Sequence, residues 1–360
     1  MRSAERGRAS RTMKKGRVDW PGAALRAARL IPRQRLHPAV VAWADARPGR
    51  EPWAVALSGG ADSVALLLLV WAHWPARRGH LVALHFNHRL RGSESAADAR
   101  FCASLCSGLG VDLVSGERKG RVPALAEAQA REARFAFIER AMARRGARVL
   151  WLGHQLDDVA ETMLMRLSRG SGAAGLAAPR AVHALAAGRA RRFHVRPLLA
   201  LSKSEIARAA RLAGARWRED SSNAKRVHFR NRLRRDVIPR WVRASGRDAL
   251  SGAALSRELL EEDDRALEAW ADSLGAPGPG RSLAVSRLSG VPRAVVRRVL
   301  HRWLSLQPRA GELSRQGFEA LLHAVERGTR FRHSLGNHGF AVIRSGSLRF
   351  EPIRKSPTTH

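Results

Sequence analysis

Residues 53–63 constrain the fold of this chain more than any other stretch. A short apolar run, typical of a buried strand, stops at Ser58-Gly59-Gly60, and a helix-compatible run of Ala, Val and Leu follows. The two glycines carry no side chain that would hold a phosphate away from the backbone, and the first amides of the following helix would point at the anion. Asp62 falls in the first helical turn, where a carboxylate can either cap the helix or hold Mg²⁺ against a polyphosphate. No Gly-Lys-Ser/Thr follows in this stretch and its glycines do not have the Gly-x-Gly-x-x-Gly spacing, so it predicts a pyrophosphate site without a loop lysine, as adenylation chemistry would use.

Apolar and amphipathic segments alternate from about residue 50 to 215. Strands are predicted at 53–57, 81–86, 111–115 and 149–152, and helices at about 61–74, 94–109, 124–145 and 155–168. This alternation predicts an α/β fold, with a parallel sheet and helices on both faces. Ligands of such sheets bind at the carboxyl ends of the strands, where most of the polar motifs of this chain begin.

Shifts in composition predict four regions. Residues 1–48 are a basic N-terminal extension, either a disordered tail or an arm that follows a phosphate backbone. Residues 49–215 are the nucleotide-binding domain, and 216–274 are a helical region that contacts nucleic acid. A Pro/Gly linker separates these from a small C-terminal domain at 282–360. Helices are predicted here at 204–213, 227–243 (bent or ended by Pro239), 250–273, 282–305 and 314–327, with short strands at 331–350.

The charge of the chain indicates a polyanionic partner. Lys and Arg number 65 against 31 Asp and Glu, a formal net charge of +34, which favours nucleic acid over a merely soluble basic surface. The two cysteines, Cys102 and Cys106, are too few for a disulfide framework and have the wrong spacing for Cys-x-x-Cys. No apolar run approaches a membrane span and no signal-peptide core is present, so a cytoplasmic protein without membrane contact is expected.

Polar residues follow two further predicted strands. His85 and Asn87 end the second strand and are expected to line the nucleotide pocket, although a basic surface loop is the plainer alternative. In the block 153–172, Asp158 and Glu161 are three residues apart and therefore project from one helix face. Acidic residues in a first turn are commonly caps, but this pair could also hold magnesium or accept hydrogen bonds from an amine.

Two arginine-rich segments complete the set of motifs. The block 130–135 contains Arg134, and by itself it reads as ordinary surface ion pairs. The acidic turn at 217–223 is followed by a helix with a run of arginines at 230–235. In so basic a chain this helix is a candidate RNA-facing element.

Taken together, these blocks resemble the tRNA(Ile)-lysidine synthases, members of the PP-loop ATP pyrophosphatase superfamily. The matching blocks are Ser58-Gly-Gly-Ala-Asp-Ser63, His85-Phe-Asn-His-Arg-Leu-Arg91, Ala130-Arg-Glu-Ala-Arg134, residues 153–172, Arg196-Pro-Leu-Leu199, Glu219-Asp-Ser-Ser-Asn223 and Arg230-Asn-Arg232. They occur in the family's order over roughly residues 53–240. The first block alone would identify only the superfamily, whereas the combination is much more specific.

The resemblance implies a ligase that uses ATP and magnesium to join free lysine to C2 of the wobble cytidine of isoleucine tRNA with a CAU anticodon. ATP would adenylate the base and release pyrophosphate, and the amine of lysine would then expel AMP. The protein would be a monomer or a homodimer. The resemblance assigns roles as follows: ATP binding to Ser58, Gly59, Gly60, Ala61, Asp62, Ser63, His85 and Asn87; magnesium to Asp62; catalysis to Asp62, Asp158 and Glu161; and lysine or tRNA binding to Arg134, Asp158, Glu161, Arg230, Asn231, Arg232 and Arg235.

The chain departs from the family pattern at several places. Lys225 stands where the family has an acidic residue, and Phe135 replaces a common tyrosine, so no hydroxyl is available there. Residues 181–194 read as a basic inserted loop without a role, and the C-terminal region looks short.

Two other functions are open to such a chain. The nearer one is another PP-loop tRNA-modifying enzyme such as a tRNA thiolase, although the spacing of the two cysteines does not fit one. The other is a non-catalytic RNA-binding protein on a nucleotide fold, against which the intact Asp62, Asp158 and Glu161 argue.

Overall fold

The structure is a computed structural model that describes residues 18–47, 49–89, 93–118, 127–187, 190–219, 229–275, 282–307, 313–336 and 339–353. The chain divides into two compact units, residues 1–258 and 259–360. No helix in the described ranges is long and apolar enough to cross a membrane.

A six-stranded sheet forms the centre of the first unit. Its strands are Trp53–Ala56 (β1), Leu81–Asn87 (β2), Asp112–Glu117 (β3), Val149–Trp151 (β4), Val182–Ala187 (β5) and Ala190–Val195 (β6). Their order is β3-β2-β1-β4-β6-β5, and every neighbouring pair is parallel except the antiparallel β5–β6 edge. The strand order reverses between β1 and β4, and a ligand crevice opens at such a point in an α/β sheet.

Helices cover both faces of this sheet. Up to residue 245 the α-helices in the described ranges are Trp20–Leu30 (α1), Pro38–Asp45 (α2), Ala61–His73 (α3), Ser93–Leu109 (α4), Glu127–Arg144 (α5), Leu156–Leu167 (α6), Ala173–Leu176 (α7), Lys203–Leu212 (α8), Phe229–Arg232 (α9) and Ile238–Ser245 (α10). Side chains of β1 alternate between two cores: Trp53 and Val55 pack with α3, whereas Ala54 packs with Ile138 of α5. α3 is apolar nearly all round, as a helix enclosed on every side must be. The predicted α/β fold with helices on both faces is confirmed.

The second unit contains a small antiparallel sheet. The helix Ala249–Ser273 (α11) leads into it, and the helices Arg293–Ser305 (α12) and Arg315–Arg327 (α13) follow. The strands Leu283–Ala284 (β7), Phe331–Ser334 (β8), Gly339–Arg344 (β9) and Ser347–Pro352 (β10) pair in the order β7-β10-β9-β8. Trp303, Leu300 and Leu321 are fully buried in its core. The domain boundaries at 49, 216 and 282 stay a prediction.

The N-terminal region contains helices that the sequence did not predict. Asp19 caps α1 by accepting a hydrogen bond from the Gly22 amide at 2.9 Å, and Trp20, Ala23 and Ala27 are buried in the core beside α3. Residues 20–45 are therefore part of the folded unit and not a disordered tail. Their small apolar positions were hidden by the surrounding arginines.

Three other segments differ from the prediction. Strands β5 and β6, at 182–187 and 190–195, pair antiparallel and extend the sheet, where an inserted loop was expected. Residues 282–292 form β7 and a short 3₁₀ turn, because Gly290 and Pro292 delay α12 until Arg293. A π-helical turn, Leu233–Val237, connects α9 to α10, so that Pro239 lies in the first turn of α10, where its missing amide is tolerated.

Candidate active site

The loop between β1 and α3 is held in shape by its own serines. The Ser63 hydroxyl accepts a hydrogen bond from the Ser58 amide at 3.2 Å, lies 3.0 Å from the Ser58 hydroxyl and donates to the Gly60 carbonyl at 3.0 Å. Gly60 caps α3 without a side-chain hydrogen bond, so the first amides of α3, at Ala61, Asp62 and Ser63, begin the helix without a side-chain acceptor from the cap. The loop therefore offers backbone donors at the positive end of a helix to an anion.

Gly59 allows the sharp turn of this loop. Its φ of 91° lies in the region that favours glycine, and a β-carbon there would come within 3.3 Å of the Cys102 Sγ atom. The Gly59 carbonyl accepts a hydrogen bond from the Arg218 amide at 2.9 Å, and the Arg218 guanidinium donates to Asp98 at 2.8 Å. Arg218, which is distant in sequence, thus fixes the loop by hydrogen bonding to the Gly59 carbonyl and to Asp98.

Asp62, the carboxylate of this loop, has a shifted pKa and an unpaired oxygen among the described residues. Burial raises its pKa to about 6, against an opposing effect of the Lys203 ammonium and a further raising effect of Asp158. Its Oδ1 atom is buried and has no hydrogen-bond partner among the described residues. A cation would satisfy both the buried oxygen and the charge.

The residues present fit magnesium in a limited sense. Within the described ranges, no cluster of three or more His, Cys, Asp or Glu side chains could hold a metal ion by itself. Magnesium usually keeps several waters and binds through one or two carboxylates plus substrate phosphates. Here Asp62 can supply a carboxylate oxygen, and a polyphosphate bound at the neighbouring loop would supply the phosphate oxygens.

A cavity of about 470 Å³ opens beside this loop at the carboxyl ends of β1, β2 and β4. Residues predicted to bind ATP line it (Ser58, Asp62, Ser63, His85 and Asn87), together with Arg134, Phe135 and His154. The cavity therefore joins the three strand ends that the sequence analysis singled out.

The polar side chains of the β2 end are largely engaged with backbone. His85 Nδ1 lies 2.9 Å from the Leu57 carbonyl oxygen, while its buried Nε2 has no partner among the described residues. The Asn87 amide donates to the Ser95 carbonyl at 3.2 Å and accepts from the Arg89 amide at 2.8 Å. His85 therefore keeps one ring nitrogen for a ligand, and Asn87 serves mainly to shape the cavity wall.

Asp158 and Glu161 form a buried pair at the start of α6. The Glu161 side chain is 0% exposed and the Asp158 side chain 13%. One Asp158 oxygen accepts the Gln155 amide at 3.1 Å, closing a capping box, and the other accepts a hydrogen bond from Arg230 at 2.6 Å. Asp158 therefore caps α6, one of the two roles that the sequence left open, and it also pairs with Arg230, which the sequence did not predict.

Two arginines neutralise this pair. Arg230 also donates from Nε to Glu161 at 2.6 Å, and Arg234 donates to both Glu161 oxygens, at 3.0 Å from its Nη2 atom. Burial raises the pKa of Asp158, and the Arg230 charge opposes that shift. The site thus consists of two acidic groups whose charge is offset by neighbouring cations.

The cavity wall near β4 is electropositive. His154 Nδ1 accepts a hydrogen bond from the Arg196 guanidinium at 3.2 Å, and burial together with Arg196 and Arg230 lowers the pKa of His154 well below its usual value. Burial and Arg131 likewise lower the pKa of Arg134. Such a wall favours anionic ligands and keeps His154 neutral.

Some important residues were missed from the sequence. Arg234, which the sequence analysis included only as part of the 230–235 arginine run, contacts the carboxylate pair, whereas Arg235 and Arg232 are exposed on the same helical stretch and Asn231 is half-buried. A four-residue spacing from Arg230 could have indicated Arg234. Lys203, whose amide donates to Asp157 at 2.9 Å, had no local signal. Leu90, Arg91, the 220–223 part of the acidic turn and Lys225 lie outside the described residues.

Comparison with known proteins defines the class of this protein. The family model described as the PP-loop domain matches residues 35–241, more than half of the chain. The chain belongs to this family, which supports ATP as its nucleotide.

Several curated relatives of this chain carry the same name. The chain is 37% identical over 287 residues to the tRNA(Ile)-lysidine synthase of Geobacter sulfurreducens, covering 76% of this chain and 58% of the relative. It is 35% identical over 221 residues to that of Bacillus subtilis, covering 59% and 45%. The chain thus spans about half the length of the curated relatives it matches. A solved structure of the U34-tRNA thiolase NcsA from Methanococcus maripaludis is similar at a TM-score of 0.48 and 18% identity, over 66% of this chain and 78% of that one.

Proposed function

We propose that this protein is a ligase that uses ATP to attach free lysine to C2 of the wobble cytidine of isoleucine tRNA with a CAU anticodon. The observation that carries the proposal is the placement of a buried carboxylate pair, Asp158 and Glu161, beside a phosphate loop whose own carboxylate, Asp62, is electrostatically coupled to it. The names of the curated relatives support the same substrate.

The first step would activate the base. The carbonyl oxygen at C2 attacks the α-phosphorus of ATP, and the bond to pyrophosphate breaks. In the proposal the backbone amides from Gly60 to Ser63 and the hydroxyls of Ser58 and Ser63 bind the phosphates, with His85 at the cavity wall. Asp62 would hold magnesium, which when bound offsets the charge of the polyphosphate.

The second step would exchange oxygen for nitrogen. Free lysine carries an amine with a pKa of about 10.4, which must lose a proton before it can attack C2. Asp158 and Glu161 would bind the ammonium form and take that proton, because burial raises the affinity of Asp158 for a proton. The carbon–nitrogen bond then forms and AMP leaves with the oxygen.

The electropositive wall would hold the RNA. Arg134, half-buried in the cavity wall, would contact the substrate, while Arg232, Arg235 and Asn231 lie on the helical stretch that begins at Phe229 and would contact tRNA. Phosphate contacts of this kind position a nucleic acid without reading its sequence.

The cysteines argue against the thiolase alternative. Cys102 and Cys106 are both buried, and burial raises the pKa of each thiol to about 12. A thiol with so high a pKa is a poor nucleophile or metal ligand.

One experiment tests the proposal directly. The purified protein is incubated with ATP, isotope-labelled lysine and the tRNA transcript, and the wobble nucleoside is analysed by mass spectrometry. We expect a product that contains the label and forms only with ATP. Label-free cytidine after a complete reaction would contradict the proposal, and sulfur incorporation from a sulfide donor would favour the thiolase alternative.

A further inference from the structure

The guanidinium of Arg230 bridges the two carboxylates proposed to receive the amine. Its Nη2 atom is 2.6 Å from Asp158 Oδ1 and its Nε atom is 2.6 Å from Glu161 Oε2. An ammonium group placed between the same oxygens would make the same two charge-assisted hydrogen bonds. The protein therefore fills this position with one of its own cations.

The charges of the Asp158–Glu161 pair are balanced by the two arginines without a substrate. Two carboxylates face two guanidinium groups, those of Arg230 and Arg234, and the Glu161 side chain is fully buried. A third cation would leave an uncompensated positive charge in a largely buried site, which is costly. A substrate ammonium therefore fits best when one arginine leaves.

Of the two arginines, Arg230 is the one placed to leave. It belongs to α9, a four-residue helix that contributes no buried residue. Arg234 instead lies in the π-helical turn next to the buried Leu233. Both arginines make two hydrogen bonds to the carboxylate pair, but those of Arg234 go to Glu161 alone, whereas those of Arg230 are divided between Asp158 and Glu161. π-helical turns are frequent at functional sites and interrupt regular helix geometry, so α9 can move without unwinding α10.

We propose that the Arg230 guanidinium occupies the position of the substrate ammonium. Lysine binds when its ammonium group replaces this guanidinium between Asp158 and Glu161. This inference rests on the proposed function. The released side chain would then be available to an RNA phosphate, a frequent partner of an arginine fork. In the absence of RNA the internal competitor lowers the apparent affinity for lysine by the fraction of time that it occupies the site.

Variants at position 230 test the exchange. Binding of lysine to the full-length protein is measured by calorimetry without RNA or ATP. We expect Arg230→Gln, which removes the competing cation, to bind lysine roughly tenfold more tightly than the unaltered protein. Arg230→Lys restores a cation and should return the affinity towards that of the unaltered protein. Arg240→Gln, the same change at an exposed position of α10, should have no effect.

A measurement on the unaltered protein does not depend on how the variants fold. Hydrogen–deuterium exchange of residues 229–237 should accelerate when lysine is added to saturation, because α9 loses its anchor to Asp158 and Glu161. Unchanged exchange with lysine bound would overturn the proposal, as would an Arg230→Gln variant that binds lysine equally or more weakly.

The two proposals fail in different ways. If the unaltered protein forms no labelled nucleoside, the proposed function is wrong. If it does form that product while Arg230→Gln gains no affinity for lysine, only the exchange is wrong.

Discussion

Gly153, in the turn after β4, lies directly against the backbone of Asp62 at the start of α3. A β-carbon at position 153 would be 3.1 Å from the Asp62 carbonyl oxygen and 3.2 Å from its carbonyl carbon. These distances are shorter than ordinary van der Waals contact, and the atoms approached belong to the backbone. The missing side chain therefore lets the two strand ends of the crevice, β1 and β4, come together, and it sets the spacing between the phosphate loop and the carboxylate pair.

Gly153→Ala should consequently impair nucleotide binding. The added methyl group must push the first turn of α3 away from β4, and overpacking of this kind typically costs about 1–3 kcal/mol. We expect a lower free energy of unfolding and about tenfold weaker binding of a non-hydrolysable ATP analogue, measured by denaturation and calorimetry. Gly79→Ala is the control, since a β-carbon there meets nothing within 4 Å. Equal behaviour of the two variants would show that the contact is not limiting.

Asp62→Asn should stabilise the metal-free protein while abolishing turnover. Folded Asp62 keeps its proton up to about pH 6, whereas its ordinary pKa is 3.8. The unfolded chain therefore releases this proton first, and stability falls as the pH rises through that interval. Above it, a neutral Asn should raise the free energy of unfolding by about 1–3 kcal/mol.

The measurement is urea denaturation in EDTA as a function of pH. The advantage of Asp62→Asn should be small below the ordinary pKa of 3.8 and level off above about 6. Asp112→Asn, at a side chain 70% exposed, should show no comparable trend. A variant less stable than the unaltered protein at neutral pH would refute the assigned burial penalty.

Glu161→Gln should destabilise the protein as well as inactivate it. The change leaves two guanidinium groups beside a neutral amide, and breaking a buried ion pair costs about 3–5 kcal/mol. The amide keeps the shape of the side chain, so we expect the lower end of that range in chemical denaturation, together with loss of labelled product. Glu139→Gln, on the exposed face of α5, serves as the control. Full stability of Glu161→Gln would mean that the arginines find other acceptors.

Binding of tRNA should weaken steeply with salt. The formal charge of +34 indicates many phosphate contacts, each of which releases condensed counterions. With about six to ten contacts, affinity should fall by roughly 10³–10⁵ between about 50 and 200 mM salt. Filter binding over this range measures the slope, and a flat response would argue against a broad basic RNA surface.

The sequence predicted the parts of the site that depend on local patterns. The loop at Ser58–Ser63 and the acidic turn at Asp158 each follow an apolar strand, and parallel strands bring their carboxyl ends to one edge. The sequence could not reveal that Arg218 holds Gly59 or that Lys203 lies near Asp62, because those contacts depend on how distant helices pack. The arginine-rich composition also masked the apolar faces of α1 and of strands β5 and β6.

The ion pairs of the carboxylate cluster join residues 69 to 73 positions apart. During synthesis on the ribosome, the serine loop can close as soon as α3 has emerged, since its contacts span only five residues. Glu161 must wait for α9 and the turn behind it. A nascent chain is therefore expected to form its serine loop before its carboxylate–arginine cluster. A fragment that ends before Arg230 would bury Glu161 without the arginines that offset its charge. Such a fragment should therefore fold poorly and be degraded.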